Sequence, residues 1–233
     1  MPSLPPTTKA LILVCVAVFF VDQLLVRGLL DSWFALWSPA SGQFMPWQLL
    51  TYALLHGSFA HLFFNMIGLW LFGGDLERLW GRNRYLQFIA VSVVVAGLTQ
   101  MLVTVVLGTP GYTIGASGAL FGLLLGFALA FPRRQFDLVG FLPMLLLMVP
   151  NSIINLVGFG LYMLLLTNRA AVPIPPMPVP AMTMVALFGG IELLFGVFFR
   201  SGGIAHFAHL GGMLGGWLMI QYWRGRGPFK RRR

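Results

Sequence analysis

The chain has 233 residues, of which 58% are hydrophobic and only 9% charged. Soluble globular chains carry about a quarter charged residues, so this composition excludes an ordinary water-soluble domain. Much of the net charge of +9 sits in the last ten residues, in Arg224, Arg226, Lys230 and Arg231 to Arg233. In a soluble protein that cluster would suggest nucleic acid; after an apolar helix it reads as a cytoplasmic anchor facing anionic lipid headgroups, and no nucleic-acid partner is expected.

A membrane-spanning helix needs about 20 apolar residues. The pattern predicts an all-α, polytopic bundle of six such helices, with residues 1–233 as one domain. The first span covers residues 9–30. It contains Cys15, the lone cysteine and so without an intrachain disulfide partner. No small-residue cleavage site follows, which argues for a span and against a signal peptide. Residues 31–48 carry Trp33, Trp37 and Trp47, and tryptophan favours the headgroup level, so this stretch is expected in the interface. The second span covers residues 49–72 and ends at Gly73-Gly74, where a charged turn holding an ion pair of Glu77 with Arg78 is predicted. The third covers residues 85–107, and the fourth runs from Ile114 to the Pro132-Arg133-Arg134 turn.

Basic residues orient the bundle. The turns after the second and fourth spans are basic, as is the tail, whereas the turn after the third has no charge. Both termini are therefore expected in the cytoplasm, with Ser117 toward the outer side. Residues 136–166 are apolar but interrupted by Pro143, Pro150 and Asn151. A single crossing there would carry the arginine tail outward and separate the downstream histidines from Ser117. Two full crossings would leave only about 14 residues per limb, short of the required length. An extra apolar hairpin or re-entrant segment bent near Pro150 is expected instead, because proline breaks helices. The proline-rich residues 173–180 are expected to be extended, followed by spans over residues 181–199 and 204–222.

Ionisable and polar side chains inside a membrane are functional candidates by default. Ser117 lies between glycines, and His61 with Asn65 shares one helix face, as His206 does with His209. Serine needs a base to take its proton, and imidazole titrates near neutrality, which pairs Ser117 with His209. The Asn65 amide, the His61 imidazole and the Ser117 backbone N–H at a helix N-terminus could serve the oxyanion. No carboxylate stands out as a third member; Glu192 is the acid of the last two spans, so a Ser-His dyad is the better reading. His206 and His56 are ambiguous between structural and supporting roles. Gly118, Gly122 and Gly126 recur every four residues, as do Gly212 and Gly216, and Gly211 and Gly215; small residues at that spacing let helices approach closely in lipid. A small transporter would predict internal repeats and charges along a path, and neither is seen.

These residues form a recognisable set. The run from His56 through His61 to Asn65 resembles the HxxxxHxxxN element of rhomboid intramembrane serine proteases. Gly115-Ala116-Ser117-Gly118 is similar to their GxSG, and Ala208-His209-Leu210-Gly211-Gly212 to their AHxxG, with Gly216 continuing the spacing. The resemblance implies a six-helix core in a bacterial inner membrane. It also implies cleavage of transmembrane protein substrates near their outer boundary, without metal or cofactor. Ser117 would be the nucleophile, His209 the base, and His61 and Asn65 the oxyanion donors. Phe121 would pack on the catalytic histidine, where many members have tyrosine. Two departures stand out: Trp47-Gln48 replaces Trp-Arg, and residues 136–166 read as an insertion. A catalytically inactive rhomboid-like factor that binds membrane proteins or serves quality control is the alternative, and it would be expected to lack the serine or the histidine.

Overall fold

The computed structural model describes residues 3–26, 28–108, 111–146, 152–198 and 205–225. The chain divides into two compact units, one built from Met1–Ala130 with Phe207–Arg233 and the other from Phe131–His206. Among the described residues, three helical stretches are long and apolar enough to cross a membrane: Pro6–Val26, Phe59–Leu107 and Ala181–Phe198.

In the first unit, helix α1 (Pro6–Val21) continues as a π-helical turn, Asp22–Val26. Its orphan N-terminal donors are met from a distant part of the chain. The Glu77 carboxylate accepts hydrogen bonds from the backbone N–H groups of Thr7 (3.0 Å) and Thr8 (2.7 Å) and from the Thr8 hydroxyl (2.8 Å). A negative charge at a helix N-terminus is favourable both as hydrogen-bond acceptor and against the helix dipole. The expected ion pair of Glu77 with Arg78 is thereby corrected, because Arg78 pairs with Asp75 at 2.9 Å.

The interfacial stretch holds helix α2 (Leu29–Phe34), strand β1 (Leu36–Trp37) and helix α3 (Gln48–Thr51). Its organiser is the fully buried Gln48. The carboxamide oxygen accepts from the N–H groups of Trp37 and Met45, and the nitrogen donates to the carbonyls of Trp33 and Gln43. An amide has two donors and an acceptor oxygen, so one side chain pins four backbone groups of an irregular loop. Trp47-Gln48, which the sequence marked only as a departure, is the loop's internal tie.

Helix α4 (Phe59–Gly68) starts at the Ser58 cap, whose hydroxyl accepts from His61 N–H at 3.1 Å. The second span does not end at Gly73-Gly74 as expected; the reversal comes later, within the predicted charged turn. The helix runs on through Leu69–Gly73 into α5 (Gly74–Leu107), and the chain reverses at Gly81, whose φ of 73° is a left-handed value. Reversal follows from a simple distance. In a straight helix residues 73 and 85 would lie roughly 18 Å apart, yet a Cβ on Gly73 would collide with the Tyr85 hydroxyl. Gly73 therefore permits close packing, and Gly81 makes the turn.

Strand β2 (Tyr112–Thr113) pairs antiparallel with β1, aligning Leu36 with Thr113 and Trp37 with Tyr112. Helix α6 (Ser117–Ala130) comes next, and α10 (His206–Trp223) packs on it through glycines. A Cβ on Gly212 would overlap the Gly118 carbonyl oxygen, and one on Gly216 would lie 3.1 Å from the Gly122 carbonyl oxygen. The other glycine face of α10 meets α5: a Cβ on Gly211 would lie 2.5 Å from Thr99 Oγ1, and one on Gly215 2.9 Å from Ser92 Cα. Both four-residue repeats thus serve close helix contact, as their spacing predicted.

The second unit contains β3 (Gln135–Asp137), α7 (Leu138–Leu146), α8 (Ser152–Thr167), β4 (Pro178–Pro180) and α9 (Ala181–Phe198). Helices α7 and α8 pack closely, since a Cβ on Gly158 would lie 2.9 Å from both Leu146 Cβ and the Pro143 carbonyl oxygen. The two ends of the apolar segment meet: β3 pairs antiparallel with β4, and Asp137 holds Arg169 at 2.9 Å. Asp137 also accepts from the N–H groups of Val139 and Met177. The expected bend at Pro150 lies outside the described residues.

Candidate active site

Ser117 is the first residue of α6, and the segment before it is held from two sides. Gly115 N–H donates to the Tyr52 carbonyl at 2.9 Å, and Ser38 N–H donates to the Gly111 carbonyl at 3.1 Å. Gly115 has φ 121°, a conformation that strains any side chain bearing a Cβ. The strand pair with β1 and these bonds deliver Ser117 to the start of a helix, where the first backbone N–H groups have no partner within the helix.

The Ser117 hydroxyl and His209 Nε2 lie 2.7 Å apart, although 92 residues separate them in sequence. With Nε2 unprotonated, the hydroxyl donates along this line and its proton can pass to the ring. His209 is nearly buried in the first turns of α10, while Ser117 is half-buried. Phe121, one turn after the serine, lies flat on the imidazole: the ring centroids are 4.4 Å apart and the planes differ by 6°. That contact restricts the imidazole to the plane in which Nε2 meets the hydroxyl.

His61 reaches the same place from α4. A Cβ on Gly115 would lie 2.6 Å from His61 Nε2 and 3.7 Å from Ser117 Oγ, so the imidazole edge occupies the space that glycine leaves open. His56 flanks it, with ring centroids 5.0 Å apart and planes at 66°. Asn65 is one turn further on and donates from its amide to the His61 carbonyl at 3.0 Å. An amide nitrogen has a second N–H, so this bond orients the group and leaves one donor. Of the residues singled out in the sequence, Ser117, His209, Phe121, His61 and Gly115 gather at one point. His56 and Asn65 adjoin them, and Gly118, Gly212 and Gly216 supply the helix contact that lets α6 and α10 meet.

Two contacts escaped the sequence reading. Tyr52 ties the loop before Ser117 to α5, because its carbonyl accepts from Gly115 and its hydroxyl donates to the Val93 carbonyl at 2.8 Å. In the second unit, Glu192 Oε2 lies 2.6 Å from His206 Nδ1, with both side chains almost completely buried. A mid-helix carboxylate in an apolar segment signals a buried partner, and His206 was available as one.

Comparison with known proteins covers much of this arrangement. The Rhomboid domain family model matches residues 43–164. That segment is just over half of the chain and includes His56, His61, Asn65 and Ser117 but stops before His209. The Rhomboid protease GlpG of Pectobacterium atrosepticum is 33% identical over 120 residues, 51% of this chain and 41% of that protein. That of Klebsiella pneumoniae is 32% identical over 95 residues, covering 41% and 34%. That of Serratia proteamaculans is 31% identical over 122 residues, covering 52% and 39%. The chain thus spans between about a third and two-fifths of the length of these relatives. A family match over just over half of the sequence, with a serine and a histidine at hydrogen-bond distance, leads to one conclusion: the chain belongs to the rhomboid family.

Proposed function

We propose that the protein is an intramembrane serine endopeptidase that cleaves transmembrane protein substrates with a Ser117–His209 dyad. The observation that carries this reading is the 2.7 Å approach of Ser117 Oγ to His209 Nε2. In the first half-reaction Oγ attacks the scissile carbonyl carbon while its proton moves to Nε2. The negative charge that develops on the carbonyl oxygen needs donors already in place. The Ser117 backbone N–H, the His61 imidazole and the free Asn65 N–H have the required chemistry. Collapse of the tetrahedral intermediate breaks the C–N bond, and the His209 imidazolium gives its proton to the departing amine. A water molecule, deprotonated by His209, then attacks the acyl-serine ester and releases the new carboxylate.

The six-helix count, the inner-membrane location with cytoplasmic termini, and the cut near the outer membrane boundary belong to the same proposal. So does the working of residues 1–233 as a single membrane domain. They are supported by the long apolar helices and by the arginines that flank the turns. The pairing of β3 with β4 also supports them, since it brings the two sides of the insert together within one unit.

A fluorophosphonate probe tests the mechanism on purified protein, because it phosphonylates an activated serine as Oγ displaces fluoride from phosphorus. Labelling is expected for the wild type and its loss for Ser117→Ala, with strong reduction for His209→Ala. Labelling that persists in Ser117→Ala would overturn the dyad. A folded wild type that takes up no probe and cuts no transmembrane substrate would favour the binding factor over the protease.

A further inference from the structure

We propose that the end of the first unit opposite Ser117 holds a binding site for one anionic phospholipid, in a cleft between the Gly81 turn and the C-terminal ends of α6 and α10. Ser117 begins α6 and the cleft lies at its other end, about 21 Å away along a 14-residue helix. The cleft has a volume of about 200 Å³ and is walled by Leu79, Trp80, Leu129, Ala130, Ile220 and Trp223, with Arg224 at its edge. An apolar cleft is unremarkable in a membrane protein. Its rim is less ordinary. Arg84 lies over the Trp223 ring, its guanidinium carbon 5.7 Å from the ring centroid. Trp223 in turn packs edge-on to Trp80, with centroids 5.1 Å apart. The stack keeps Arg84 beside the mouth of the cleft while its N–H groups at the guanidinium edge stay open to a second partner.

The nearby acids do not neutralise this rim. Asp75 is paired with Arg78, and Glu77 caps α1. Among the described residues, no ion pair includes Arg84 or Arg224, and both side chains are exposed. Two unpaired guanidinium groups above an apolar slot call for an amphipathic anion. A phosphate oxygen pair suits the guanidinium fork, and an acyl chain suits the tryptophan-lined slot. A free phosphate would use the arginines and leave the slot unused. A zwitterionic lipid would fill the slot but offer the arginines no net charge.

The test uses the full chain in a neutral detergent, titrated with phosphatidylglycerol, with phosphatidylcholine of the same acyl chains, and with inorganic phosphate. Thermal unfolding and native mass spectrometry read binding without reference to proteolysis, so the outcome stands apart from that of the dyad. Phosphatidylglycerol is expected to raise the midpoint and to appear as a retained one-to-one adduct, while the other two do neither. Arg84→Gln and Arg224→Gln are each expected to weaken the adduct about fivefold. Ala130→Leu, which fills the slot without touching a charge, should weaken it as well. Equal effects of phosphatidylcholine or of phosphate would overturn the site, as would wild-type titrations in both arginine variants.

Discussion

A methyl group at position 115 would point at the imidazole of His61, 2.6 Å from Nε2, on a backbone whose φ of 121° already disfavours any Cβ. Gly115→Ala must therefore displace His61, strain the loop before Ser117, or both. The fluorophosphonate labelling rate is expected to fall by about 100-fold, the size of effect seen when one oxyanion donor is removed, while the helical circular dichroism signal is kept. Phe121 acts on the other partner. Its ring lies flat on the His209 imidazole, and aromatic pairs contribute about 0.5–1.5 kcal/mol beyond their buried area. Phe121→Leu should lower kcat/KM on a transmembrane peptide by up to about tenfold, and Phe121→Tyr, which keeps the ring, should stay near wild type. Equal losses in the two variants would show that the stack has no part in holding the base.

At the level of elements, the glycine repeats were legible because their four-residue spacing has one common physical use, but glycine alone did not tell packing from turning. Gly73-Gly74 before a charged run reads as the end of a span, whereas Gly73 makes room for Tyr85 and the chain reverses at Gly81, inside the charged run. Glu77 and Gln48 escaped for a different reason. Their partners are Thr7 and Thr8, about seventy residues away, and four backbone groups of an irregular loop, and local periodicity encodes neither. The dyad was readable because its members sit in short motifs. The Glu192–His206 contact carries no motif.

Helix contacts of this kind can be tested by volume. Gly212→Ala would drive a methyl into the Gly118 carbonyl, and overpacking of a close contact costs about 1–3 kcal/mol. Thermal unfolding should drop by about 5 °C, whereas Gly160→Ala, where a Cβ meets open space, should not lower it. At the base of the insert, burial works to raise the Asp137 pKa. The Met177 and Val139 N–H groups and Arg169 outweigh it and hold the carboxyl below its ordinary value. A depressed carboxylate pKa stabilises the closed base above the unfolded value of about 3.9, and that contribution is lost as pH falls through the folded value. Amide exchange at Val139 and Met177 should therefore accelerate only in acid below about pH 4, and Asp137→Asn should show the faster exchange already at pH 7.

For the whole molecule, the division into two units separates the proposed catalytic residues from the apolar insert. Ser117, His209, His61, Asn65 and Phe121 all belong to Met1–Ala130 and Phe207–Arg233. The apolar segment of α7 and α8 belongs to the other unit, and its ends are joined by β3–β4 and by the Asp137–Arg169 pair. A segment that leaves and returns at one place can be removed without changing the direction of α9 and α10. Replacing residues 138–167 with a short Gly/Ser linker retains Asp137, Arg169 and the strand pair, so fluorophosphonate labelling of Ser117 should survive. Removing α8 alone, residues 152–167, leaves a limb too short to span and takes away the helix that Gly158 lets approach Leu146 and Pro143. Labelling should then fall, because α7 keeps an unpacked apolar face, while the Arg224 end, read by cysteine accessibility, should stay on its original side in both deletions. A change of side after loss of the single limb would mean that each limb crosses the membrane, and the proposed re-entrant hairpin would have to be abandoned.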